Sequence, residues 1–71
     1  MDTNTTVFAA NYERATDNLM IAVSSNNPSL WLNYAAHSAN SAKRNAANII
    51  EETLADDLLA SIEKIRPLVL A

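Results

Sequence analysis

The stretch PSLWLNYAAHSANSAKRNAANIIEETLADDLLASIEKIRP, residues 28–67, decides the fold. Between its two prolines lie 38 residues with no helix breaker, and the whole chain contains no glycine. A chain without Gly lacks the cheapest route to left-handed turns, tight hairpins and glycine helix ends. It also lacks the Gly-rich motifs that cradle nucleotides. What remains is helix, and function must be carried by helix surfaces.

Within this stretch, Trp31, Ala35, Ala39, Ala42, Ala46 and Ile49 line one stripe about 80° wide. Their intervals of four, four, three, four and three residues form a coiled-coil-like seam. The four central alanines remove bulk, so a partner helix can approach closely. A second stripe follows: Leu54, Leu58, Ile62, Ile65 and Val69. On one straight helix it would point roughly 140° away from the first. Thr53 followed by Asp56 has the form of a capping box, with Asp in place of the usual Glu. Two readings stand open: one long helix from Pro28 to Arg66, or two helices divided near Glu52–Thr53. The first makes a hairpin with a protruding arm that needs a dimer to bury it. The second permits a three-helix bundle. Pro67 is expected to end regular helix at about residue 66, with Leu68–Ala71 as an apolar tail.

Upstream, residues 1–5 read as a frayed start in which Asp2, Thr3 or Asn4 serves as N-cap. A helix over about residues 4–25 follows. Phe8, Tyr12, Ala15, Leu19, Ala22 and Val23 fall within an arc of roughly 100°, with Glu13, Arg14, Asp17 and Asn18 outside it. Ser24-Ser25-Asn26-Asn27-Pro28-Ser29 is the strong punctuation, with Asn27 as N-cap and Pro28 at the first helical position. The short connection makes the first two helices antiparallel neighbours. Val23 is then expected near Trp31, and Phe8 near Ile49. The fold class is all-α: an antiparallel hairpin extended to a long second helix or a three-helix bundle, a single helical domain over residues 1–71.

Seventy-one residues supply a core worth only a few kcal/mol, and such chains usually add disulfides, a metal or a partner. There is no Cys and only one His, which points away from disulfides and zinc and toward self-association or another protein. A homodimer is the expected state. The net charge of −3 resides in residues 51–71, and the rest of the chain balances. No basic field exists to attract phosphate, so no nucleic-acid partner is expected. The longest purely apolar run is Leu19-Met20-Ile21-Ala22-Val23, too short for a membrane span. No signal peptide is visible, and a cytoplasmic location is expected. No cofactor or small-molecule ligand is expected.

Four features bear on chemistry. Glu51, Glu52, Asp56 and Asp57 cluster, but no second carboxylate pair completes a cation cage. A solvated face, or acids favouring a helix N-terminus, accounts for them. His37 has Ser41 one turn away, but no glycine-rich backbone offers an oxyanion hole, so no catalytic residue is assigned. Lys43-Arg44 is an isolated basic pair on a solvated face. Asn45 or Asn48, beside the alanine stripe, could fix register if buried at a seam; exposed polar positions are the plainer reading.

Leu30, Trp31, Leu32 and Tyr34 are the densest group of large residues and spread over roughly 200° of the helix. Core packing explains Trp31 and Leu32, which leaves Leu30 and Tyr34 as binding anchors. In outline, the hairpin resembles secretion-system co-chaperones and phage-encoded inhibitors of host regulators, on length and periodicity alone. The expected function is non-enzymatic protein binding by an adaptor, inhibitor or co-chaperone. Its binding residues are Leu30, Trp31, Tyr34, Leu58, Ile62, Ile65 and Leu68. The alternatives are a DNA-associated regulator acting as a helical dimer and a small structural subunit of a larger assembly.

Overall fold

The chain forms three packed α-helices: α1 (Thr3–Ser24), α2 (Pro28–Arg44) and α3 (Ile49–Leu70). The computed structural model describes residues 3–70, with side chains described over residues 7–69. The expected N-cap among Asp2, Thr3 and Asn4 lies outside the described side chains, and Ala71 lies outside the described residues. Among the described residues there is no strand. The Cα trace is elongated, measuring 40 × 17 × 13 Å. The α1–α2 contact is the broadest, α2–α3 the next, and α1–α3 is slight.

The α1–α2 corner follows local chemistry. Asn27 Oδ1 accepts the Leu30 N–H at 3.4 Å, and Pro28 fills the first helical position. Ser25 Oγ accepts the Asn27 N–H at 2.9 Å. Asparagine within α1 is accommodated by back-bonding: Asn11 Nδ2 donates to the Val7 carbonyl at 2.9 Å. Thr16 Oγ1 does the same to Tyr12 at 3.0 Å. Such bonds satisfy a side chain that otherwise competes with helix.

The break after α2 falls at residues 45–48, earlier than the expected Glu52–Thr53. Asn45 caps α2, its Nδ2 donating to the Ser41 carbonyl at 2.8 Å with φ −104° and ψ 12°. Asn48 opens α3 by accepting the Glu51 N–H on Oδ1 at 2.9 Å. Glu51 Oε1 reaches back to accept the Ala47 N–H at 2.8 Å. This is a reciprocal cap of the capping-box kind, and it displaces the one expected at Thr53. Asn45 and Asn48 therefore turn the corner; they do not fix a register at a seam. No described residue has positive φ, so both corners are built without the left-handed conformation.

Because of this break, α3 folds back along α2, and its stripe turns toward the same core as the first. Lys43 meets Asp56 at 2.8 Å, and Arg66 Nη1 donates to Asn33 Oδ1 at 3.3 Å. These two links lie at opposite ends of one antiparallel register. The larger core cluster joins Ala15 and Ala22 of α1, Leu32, Ala35 and Ala39 of α2, and Leu58 and Ile62 of α3. The smaller one joins Phe8, Ala42 and Ala55. Alanines in the α2 seam leave room for Phe8, Leu58 and Ile62 from the flanking helices, so large residues fill space beside small ones.

Four expectations are corrected here. Both apolar stripes turn into one core within the chain, all but Ile49 and Leu54 being buried or half-buried, so their misalignment does not demand a companion. Phe8 packs on Ala42 and Ala55, while Ile49 is 71% exposed beyond the break. Val23 does not pair with Trp31; it stands exposed in the last turn of α1, where α2 has only begun. Pro67 does not end the helix, which runs on to Leu70. Arg66 is held by Glu63 and Asn33, and Val69 packs on the core, which offsets the amide that Pro67 lacks.

Candidate functional site

The end of α1, the start of α2 and the end of α3 share one end of the molecule. The Asn27–Pro28 corner brings the first two together, and the Arg66–Asn33 bond brings the third. Around this end stand six large apolar side chains left in solvent: Met20, Ile21, Val23, Leu30, Tyr34 and Leu68. Leu30 is 39%, Tyr34 48% and Leu68 77% exposed. Trp31 is half-buried against the core and meets the Tyr34 ring edge-on, with centroids 5.5 Å apart at 81°. That contact holds Tyr34 in place while leaving much of its ring in water.

Of the seven expected binding residues, Leu30, Tyr34 and Leu68 are exposed, and Trp31 and Ile65 are half-buried at the same end. Leu58 and Ile62 are core: Ile62 is fully buried, and Leu58 retains 8%. They offer no surface to a partner, because α3 folds back and turns them inward. Met20, Ile21 and Val23 were missed. The signal lay in the run Leu19–Val23, since five consecutive apolar residues on a helix cannot all face one neighbour.

The polar candidates divide among helix ends, ion pairs and open solvent. Glu51 and Glu52 sit in the first turn of α3, where acids favour the helix dipole, and Lys43 and Arg44 in the last turn of α2. Hydrogen bonding to Asp56, reinforced by its charge, holds the Lys43 ammonium pKa above its ordinary value. Arg66 is paired with Glu63 at 3.2 Å. Ser41 Oγ accepts from Arg44 at 3.1 Å, and His37 stands exposed. Among the described residues no three His, Cys, Asp or Glu side chains gather in a group fit to hold a metal ion. No pocket is found among them either, and no helix is long and apolar enough to cross a membrane.

Compared with protein-family models, curated proteins and solved structures, the chain matches none.

Proposed function

We propose that the protein is a non-enzymatic protein-binding module, an adaptor, inhibitor or co-chaperone, working as a homodimer whose bundle ends take a partner protein. The observation that carries this reading is the apolar end. Among the described residues Leu32 and Ile62 are the largest fully buried side chains, whereas six large apolar side chains stand in solvent around one end. Scattered exposed apolar residues are ordinary, but a gathering of this kind marks an interaction surface. Trp and Tyr beside each other supply rigid anchors with little entropy to lose. Docking takes the form of helix against helix or helix in groove.

Trp31 is the only tryptophan, so it reports on this end directly. Affinity capture from the native host, with Leu30→Asp and Tyr34→Asp as comparison baits, tests the reading. Capture of a discrete partner by the wild type and its loss with both variants, at unchanged helicity, supports it. Titration of that partner should also shift Trp31 emission to the blue. A partner retained equally by all three baits would refute the assignment of this end.

A further inference from the structure

Helix α3 carries a second heptad stripe that the core does not use. Its inner seam is Glu51, Ala55, Leu58, Ile62, Ile65 and Val69, all buried or half-buried. One residue earlier along the chain run Ile50, Leu54, Asp57, Ser61, Lys64 and Leu68, at intervals of four, three, four, three and four. Every one of these six is exposed. Residues one step apart lie about 100° around a helix, so this stripe lies beside the buried seam on the solvent side. Ile50, Leu54 and Leu68 put apolar side chains toward its two ends, and Asp57 and Lys64 put opposite charges on either side of Ser61.

The stripe is complementary to its own reverse. Laid antiparallel against a copy of itself about a two-fold axis near Ser61, Leu54 meets Leu68 of the second copy, which assigns Leu68 to the dimer contact and leaves the partner-binding end to the other five apolar side chains. Asp57 then faces Lys64 of the second copy, and symmetry repeats the pair. Among the described residues neither Asp57 nor Lys64 has an ion-pair partner within the chain. Ser61 falls at the crossing point, where a small side chain lets the backbones approach. A parallel arrangement would instead set Asp57 on Asp57 and Lys64 on Lys64. We infer that the outer stripe of α3 is the homodimer interface, an antiparallel isologous contact with a second copy of this chain. This deepens the association reading above and replaces the reason for a dimer that the buried stripes no longer supply.

Sedimentation equilibrium across a concentration series tests it. Wild type should dimerise, and Asp57→Lys or Lys64→Asp should each weaken the dimer roughly tenfold by turning two attractions into repulsions. The double swap, Asp57→Lys with Lys64→Asp, should return the constant close to wild type. Leu54→Glu should give a monomer of unchanged helicity. Leu30→Asp and Tyr34→Asp lie off the stripe and should leave dimerisation intact, so loss of partner capture and loss of the dimer are separate readouts. A wild type monomeric at millimolar concentration would overturn the inference, as would single swaps that dimerise normally. A double swap no tighter than either single would overturn it too.

Discussion

Replacing Ile62 by alanine should come close to unfolding this protein. Ile62 is fully buried and, with Leu32, is one of the two largest such side chains among the described residues. The change deletes three carbons. At about 0.8 kcal/mol per buried methylene, the lost transfer energy is roughly 2.4 kcal/mol. The cavity adds to this, because Ala35 and Ala39 in the same cluster are too short to collapse into the space. The total is about 3–4 kcal/mol. A chain of 71 residues at roughly 0.05–0.15 kcal/mol per residue has about 4–10 kcal/mol in all. The assay is urea unfolding followed by far-ultraviolet circular dichroism at one fixed protein concentration. With a slope of about 1 kcal/mol per molar urea, the midpoint should fall by roughly 3 M, or the folded baseline should vanish. Val23→Ala is the control, since Val23 is exposed and its change should stay within about 0.5 kcal/mol. A loss below about 1 kcal/mol for Ile62→Ala, or equal losses for the two variants, would refute the placement of the α3 stripe in the core.

Further outcomes follow from the corners, the seam and the ion pair. Asn48→Ala removes the cap of α3 and should cost about 1 kcal/mol in the same urea assay. Ala39→Leu forces bulk into the seam where α2 is fully buried and should cost about 1–3 kcal/mol. Pro67→Ala restores an amide in the last turns of α3 and should raise the thermal midpoint, by less than the roughly 3 kcal/mol of an interior site. The Lys43–Asp56 pair raises the lysine pKa in the folded state, so its contribution is complete below the ordinary 10.5 and declines as pH rises through the higher folded value. Asp56→Asn should flatten that alkaline decline when stability is measured on both sides of pH 10.5, and the effect is small because the pair is exposed to solvent.

The Asn27–Pro28 corner was legible because each residue there has one favoured role and they agree. The apolar stripes were legible because burial imposes its period on the side chains. The second break was harder to place. Ala46 and Ala47 are strong helix formers, and Asn45 turns at φ −104°, a region open to any residue, so composition leaves no mark there. Tertiary burial overrides that local preference, since a continuous rod would leave Leu58 and Ile62 in water. The cue was Asn48 three residues before Glu51, and the similar pattern at Thr53 and Asp56 competed with it. Pro67 misled for a related reason: a local penalty in the last turns was outweighed by the packing of Val69 and the anchoring of Arg66. Leu30 and Tyr34 could be read as surface because four large neighbours exceed what one helix face hides. Leu58 and Ile62 could not, because their burial depends on where α3 turns back.

No described backbone position requires a conformation that a Cβ would oppose. Alanine replacement at the described non-proline positions therefore meets no hidden backbone penalty of the kind that glycine turns introduce. A systematic scan of the described residues would report side-chain contacts, caps and helix propensity, with no term from left-handed backbone.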